Sequence, residues 1–426
     1  MRQSLPLRRL SLLPRSPSAT FIDALSHARA LNPVSTLKKN VKLKKHEEHR
    51  IVDGHLWVFS NEISAINGAP EAGDIVDLQD HAGKFLGKGF YNPHSLIAFR
   101  LLTGDDEEID FHFFRKRIES ALALRKKIYA GGDTFRLVHG ESDFLPGLIA
   151  DRYSHYICIQ TFSFGMDKRT TLICDVIDSL LHPKGIIERN ETPLRSLEKL
   201  VQQKGILRGA CEPVVITEHD LRYTVDLLGG QKTGLFLDQR ENRYALRRYV
   251  DGARVLDCCC NDGGFALNAG LAGAQECLGI DISGPAVLRA TGNAALNNLS
   301  NQVRFIEADM FTFLGEAATA NEQFDVVNLD PPSFAKSRKT VSQAKRGYKE
   351  LHTAALRILK PGGILATASC SHHIESETFL SIIQSCALAA HRKLSLLEWH
   401  GAAPDHPVLP AMPETHYLKF GIFRVE

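Results

Sequence analysis

Four aspartates and one cysteine stand where short apolar runs give way to glycine, proline or serine. Asp257 lies in "RVLDCCC", just before Asn261-Asp262-Gly263-Gly264, and Asp281 closes "ECLGID" 24 residues further on. Asp309 closes "VRFIEAD", Asp330 opens "DPPSF", and Cys370 sits in "TASCS". Apolar runs bounded by turn residues read as buried strands, so these residues fall at strand carboxyl ends. An acid at Asp281 can take both hydroxyls of a ribose, and Asp309 is placed to meet an adenine amino group. Gly263 and Gly264 let the backbone approach a ligand and begin a helix. Each acid alone has a helix N-cap as its alternative reading; three at successive strand ends point to a ligand site.

Asp330-Pro331-Pro332 is the more specific signal. Two prolines fix a rigid loop, and Pro331 has no N–H to compete for partners. The Asp330 carboxylate can then accept from a flat heterocyclic amine or imino N–H. Phe334 either stacks on such a ring or packs under the loop. Cys370 closes the next strand, which puts it beside Asp330 if the two strands are neighbours. A small buried residue is its alternative reading, but Ser369, Ser371, His372 and His373 are polar neighbours that favour a thiolate. Cys258, Cys259 and Cys260 read as a continued strand whose alternate side chains face opposite ways. With no His/Cys pair at finger spacing, they are expected to be soft filling behind the loop, and no metal is expected.

The elements that would position these groups follow from the pattern around them. From about Gly252 strands and helices alternate, the mark of a doubly wound α/β sheet. "GFALNAGLA", "GPAVLRATGNAALNNL", "AKRGYKELHTAALRILK" and "SETFLSIIQSCALAA" read as its helices, the third closed by a turn at Pro361-Gly362-Gly363. Upstream, residues 38–112 have short apolar runs cut by Gly, Asn, Asp and Pro, with a hairpin turn at Asp80–Gly83, and read as a small β-rich domain. Residues 113–225 read as a mixed α+β central domain entered by the helix Phe113–Tyr129, with a helix over "TPLRSLEKLV"; residues 226–426 carry the α/β sheet. Residues 1–37, rich in Arg and Ser and without acids up to residue 20, read as a disordered extension or an organelle-type presequence.

Composition excludes several classes. Hydrophobic residues are 44% and charged residues 23%, as in ordinary globular proteins, and no apolar run approaches a membrane span of ~18 residues. A net charge of +2 leaves any nucleic-acid signal to local clusters. Nine cysteines without regular spacing argue for a reducing cytosol, and a cytoplasmic location is expected.

Taken in order, "KTGLFLDQRENR", "DCCCNDGGFA", "NLDPPSFAKS" and "ASCS" resemble the bacterial large-subunit (23S) ribosomal RNA cytosine-5 methyltransferases with an N-terminal PUA domain. The resemblance runs from about Leu43 to the C-terminus. "LKKHEEHRIVDGHLWVFSNEI" is similar to that family's PUA opening, "GESDFLPGLIADRY" to its central domain and "PETHYLKFGIFRV" to its final hairpin. It implies a Rossmann-like class I methyltransferase sheet and S-adenosylmethionine as methyl donor. Gln239, Arg240, Asp257, Gly263, Gly264, Asp281, Asp309 and Asp330 would line the cofactor pocket. The family usually has aromatic and hydroxyl residues where Cys259, Cys260, Asn261 and Asp262 stand here. Other RNA cytosine-5 enzymes carry a second cysteine where this chain has Ser333.

The resemblance implies Cys370 as a thiolate adding to C6 of cytosine, with Asp330 holding the base. An RNA guanine-N methyltransferase, for which D-P-P-F suffices and Cys370 is inert, is the alternative; an idle RNA-binding factor is a further one. "KSRKTVSQAKRGYK" places Lys336, Arg338, Lys339, Lys345, Arg346 and Lys349 after the catalytic loop, and Lys38, Lys39, Lys42, Lys44 and Lys45 precede the β-rich domain. Either run alone reads as a solvated face; beside a base-recognising loop, phosphate contact with rRNA is expected. The resemblance is also compatible with a homodimer.

Overall fold

The computed structural model describes residues 38–230, 233–335 and 337–426, apart from the side chain of Arg338. The readings of residues 1–37 and the phosphate roles given to Lys336 and the Arg338 side chain lie outside the described residues. Lys38–Glu426 forms one unit, in which three sheets and a separate hairpin follow in order.

The first sheet is made of β1 (Asn40–Leu43), β2 (Trp57–Phe59), β3 (Ile63–Asn67), β4 (Ile75–Gln79), β5 (Phe85–Tyr91) and β6 (Ile97–Thr103), in the order β2-β6-β5-β4-β1-β3. Asp80 makes its hairpin turn: its carbonyl accepts from Gly83 N at 3.1 Å, and its Oδ1 from Ala82 N and Lys84 N, both at 2.8 Å. Val41, Leu43, Val58, Leu78 and Phe99 close the core. A helix, Phe111–Ile128, capped by Asp110, leads to the second sheet. That sheet, β7 (Thr134–His139), β8 (Leu148–Tyr153), β9 (Tyr156–Thr161), β10 (Gly185–Asn190) and β11 (Gln203–Gly209), runs in the order β11-β10-β9-β8-β7. The helix expected over "TPLRSLEKLV" is instead a 3₁₀ segment, Pro193–Glu198, which Lys199 ends at φ 62°. Buried Glu198 there accepts from Asn92 Nδ2 at 2.8 Å and Arg100 lies 3.0 Å away, so tertiary contacts override the local helical preference.

A hairpin, β12 (Val214–Glu218) and β13 (Leu221–Val225), precedes the third sheet. Its strands are β14 (Arg254–Cys258), β15 (Glu276–Asp281), β16 (Val303–Glu307), β17 (Phe324–Leu329), β18 (Leu359–Ser369), β19 (Leu394–His400) and β20 (Lys419–Val425). The order is β16-β15-β14-β17-β18-β20-β19, and β20 alone runs against its neighbours. Central strands of such a sheet are covered on both faces and read as continuous apolar runs. Val255, Val326 and Ala366 accordingly face one core with Phe265 and Leu267, while Leu256, Val327 and Leu365 face the other with Tyr348 and Phe379.

Three local readings shift. β14 stops at Cys258: Cys259 and Asn261 turn left-handed at φ 61° and 46°, so the three cysteines do not continue one strand. A helix, Met310–Thr319, follows β16 where none was expected, and Asp309 is its N-cap. β18 begins at Leu359 and runs through Pro361-Gly362-Gly363, which bulge out opposite the Phe324–Val326 stretch of β17.

Candidate active site

The loop after β14 is built from underneath. Asp257 is 1% exposed, and its carboxylate accepts from Ala266 N at 3.0 Å and Asn328 Nδ2 at 2.8 Å. It thereby ties the start of the helix Gly264–Leu271 to β17, and it serves the loop's shape from below. Gly263 sits at φ 83°, and a Cβ there would lie 2.6 Å from Phe305 Cζ; one on Gly264 would lie 2.5 Å from Arg243 Cδ. Both glycines are therefore required by close packing beneath the loop. Cys258 and Cys260 are buried, and Cys259 Sγ lies 3.3 Å from Met310 Sδ. Burial pushes all three thiols up, which suits filling and disfavours thiolates.

Asp281, half-buried at the end of β15, accepts Asn261 N on Oδ2 and Ser283 N on Oδ1, each at 2.9 Å. One backbone N–H on each oxygen leaves each a further lone pair. Asp309 is exposed and its Oδ1 accepts Thr312 N at 3.0 Å, so the N-cap reading is realised at this acid. Asp309→Ala should cost about 1 kcal/mol by loss of the cap, whereas Asp309→Asn should keep the cap. Calorimetric titration of S-adenosylmethionine into both variants separates the two roles: weakened binding in Asp309→Asn would show that the charge itself is used.

β17 and β18 are parallel neighbours, with Leu329 paired to Thr367. This brings the Asp330 loop beside Cys370, as expected of neighbouring strands. The two segments are bonded together: Ser333 Oγ and Ser371 Oγ lie 3.0 Å apart, Ala335 N donates to Ser371 Oγ at 3.3 Å, and Tyr348 OH donates to Ser369 Oγ at 2.9 Å. Phe334 packs under the loop, 4.7 Å from the Tyr348 ring. Gln239 Nε2 donates to Asp330 Oδ1 at 3.0 Å and is itself oriented by Asn242 at 2.6 Å. Arg240, in contrast, is buried against Glu218 and the carbonyl of Thr134 at 2.6 Å, with its guanidinium over the Tyr129 ring. It ties its helix to the hairpin and to the second sheet. Trp57 donates to Glu141 at 3.0 Å, between the first two sheets.

Burial pushes the Asp257 and Asp330 carboxyls up to about 7 each; the Asp281 charge adds to the first rise, and Asp238 and Asp257 to the second. The folded chain therefore holds protons that the unfolded chain releases near pH 4. The stability this contributes is fully present below about pH 4 and is lost as pH rises through 7. Asp257→Asn should flatten the fall in melting temperature between pH 5 and 8, removing a penalty of order 2–4 kcal/mol at pH 8. Parallel slopes for wild type and variant would refute the assignment.

Lys339, Lys345, Arg346 and Lys349 are exposed, the last three on the outer face of the helix Val341–Ile358, whose inner face is Ala344, Tyr348, Leu351 and Ala355. Glu218, Arg243, Asn328, Tyr348 and Lys419 also build the site, and sequence reasoning missed them. Arg243, Asn328, Tyr348 and Lys419 had as their only signal membership in the quoted stretches, and Glu218 lay in none of them. Among the described residues one group, His46, Glu48 and His49 at the entry to the first sheet, has metal-ligand spacing. No helix among the described residues is long and apolar enough to cross a membrane.

Comparison with known proteins bears on the same residues. Residues 41–104 match a PUA-like domain, and residues 206–413 match an S-adenosylmethionine-dependent methyltransferase. A ribosomal RNA large subunit methyltransferase I of Photobacterium profundum is 40% identical over 89% of this chain and 98% of its own. The protein of that name from Shewanella frigidimarina is 40% identical over 90% of this chain and 99% of its own. A Streptococcus mutans structure described as a candidate S-adenosylmethionine-dependent methyltransferase superposes with a TM-score of 0.78 at 20% identity, covering 90% of this chain and 99% of that one. A further methyltransferase structure, complexed with S-adenosylhomocysteine, gives 0.78 at 21% over 91% and 99%. At such identities they speak for the fold.

Proposed function

Since this chain belongs to the ribosomal RNA large subunit methyltransferase I family and has that family's S-adenosylmethionine-dependent domain, we propose that it methylates C5 of a cytosine in large-subunit rRNA through a Cys370 thiolate. The observation that carries the reading is the Ser333–Ser371 contact, which fixes the Asp330 loop and Cys370 at adjacent strand ends.

The residues present fit S-adenosylmethionine. Asp281 has a lone pair on each oxygen for the ribose hydroxyls, Gly263 and Gly264 lead into the helix after β14, and Asp309 is exposed just after the neighbouring strand. Gln239 orients Asp330, Asp257 holds the loop, and Arg240 anchors the segment bearing Gln239. When bound, the cofactor supplies an electrophilic methyl group.

C5 of cytosine is a weak nucleophile. Sulfur attack at C6 gives C5 enamine character. Asp330, with its carboxyl near 7, donates to N3 or accepts from the 4-amino group as charge develops there. Loss of the C5 proton to a base then re-forms the double bond and expels the thiolate. The target base has to be unstacked to enter.

The PUA-like domain and the cations of 339–349 are read as the RNA-holding parts, and the cytoplasm as the place of work. Replacing Lys345, Arg346 and Lys349 together by alanine should weaken rRNA binding and make the slope of log K against log salt shallower by about 2. Filter binding at several salt concentrations measures it; an unchanged slope would remove this face from the interface. Methyl transfer to unmodified large-subunit rRNA, followed by nucleoside analysis, tests the main reading: 5-methylcytidine supports it, and N-methylguanosine supports a guanine-N methyltransferase instead.

A further inference from the structure

Among the described residues Lys419 is the one buried lysine, at 2% exposure. A buried ammonium needs a compensating charge or it loses its proton. Lys419 stands on β20 directly opposite Ser369 of β18. Its Nζ donates to the carbonyl of Ser371 at 2.8 Å and to that of Tyr417 at 2.7 Å. Its backbone thus pairs with the residue before Cys370 and its side chain bonds the residue after it. Both acceptors are neutral dipoles, and among the described residues no carboxylate forms an ion pair with Nζ.

Among the described residues, the charged and titratable groups around this point include Asp330 on the loop after β17 and those of three further segments. β18 and its continuation bring Cys370, His372 and His373; the segment before β20 brings Glu414 and Tyr417, whose hydroxyl donates to Asp238 at 2.6 Å; the helix Val341–Ile358 brings Tyr348. Burial pushes the ammonium down to about 8, and the charge of Cys370 is what opposes that fall. Linkage is reciprocal: a thiolate that favours the ammonium is favoured by it to the same extent. The positive charge in turn helps keep His372 neutral, its ring 5.5 Å from Tyr417.

We propose that Lys419 is the positioning residue that makes Cys370 a thiolate, the two forming an ammonium–thiolate pair. The proton leaves Sγ for Nζ, sulfur keeps the S–H electron pair, and the net charge of the pair is unchanged. Sulfur then has its lone pair ready for C6 without a proton having to reach solvent at each turnover. The proposal rests on the reading of Cys370 as nucleophile.

The test is alkylation of the full chain by iodoacetamide between pH 5.5 and 9.5, with the Cys370 peptide quantified by mass spectrometry. The wild-type midpoint should lie below the ordinary thiol value near 8.5. Lys419→Met should raise it by about one to two pH units and slow alkylation at pH 7 roughly tenfold or more. Lys419→Arg, which keeps a positive charge, should restore much of the rate. The kcat of Lys419→Met should fall while KM for rRNA stays within about twofold. A folded Lys419→Met with the wild-type midpoint overturns the proposal; so does a wild-type midpoint at or above 8.5, which needs no variant at all. Full methylation by Cys370→Ser overturns the underlying reading instead, leaving the alkylation profile to decide the pair separately.

Discussion

Cys370→Ser should lower methyl transfer to large-subunit rRNA by at least about a thousandfold while leaving S-adenosylmethionine binding within about twofold. The serine hydroxyl is nearly isosteric but far less acidic, so the adduct at C6 does not form. Cys370 lies between Ser369 and Ser371, whose hydroxyls are bonded to Tyr348 and to the Asp330 loop. Those bonds belong to the neighbours, so the substitution spares the scaffold. Radiolabelled methyl transfer with nucleoside analysis measures the rate, and calorimetry measures cofactor binding. Equal rates for wild type and variant would take Cys370 out of the chemistry and leave the D-P-P-F loop to support nitrogen methylation.

The largest expected effect on stability lies at Glu218, the last residue of β12. It is 2% exposed and accepts from Arg243 Nε at 2.8 Å and Nη2 at 2.7 Å, with Arg240 Nε 3.4 Å away. Burial alone would push this carboxyl up, but the two guanidiniums overcome it and hold it below its ordinary range. Glu218→Ala would leave two buried arginines without their counter-charge, at a cost of about 3–5 kcal/mol. A fall of about four to six degrees in melting temperature is expected. Cofactor affinity should fall as well, because Arg243 Cδ lies against Gly264 under the loop. A shift below about two degrees would show that the arginines find other partners. The depressed carboxyl also carries a pH sign: its contribution is present above the ordinary glutamate value and is lost as pH falls through the folded one.

The α/β sheet was legible because short strand-like runs such as "RVLDC" and "FDVVNL", apolar on both faces at Val255–Leu256 and Val326–Val327, alternate with helical stretches. Strand ends were legible for the same reason: the polar residue that breaks the run is the one the fold delivers to the carboxyl edge. Asp257 marks the limit of that logic. It looks like Asp281 in sequence, yet only burial and its bond to Asn328 reveal that it faces inward. Cys259 and "TPLRSLEKLV" were misread because local pattern cannot register a left-handed turn or a glutamate claimed by Asn92 and Arg100 about a hundred residues away. Lys419 was invisible as a site residue, since an isolated lysine in an apolar strand carries no sign of what lies across the ladder.

The place of β20 between β18 and β19 has a consequence for the order of folding. β19 pairs with the sheet only through β20, so β19 cannot join before β20 although it comes first in the chain. β20 has to pair with β18 first, and that pairing sets Lys419 opposite Ser369, next to Cys370. A chain arrested before that step would keep a built cofactor loop and a sluggish thiol. Chemical competence at the sulfur would then report on completion of the fold, appearing as the amides of 394–425 gain protection from hydrogen exchange.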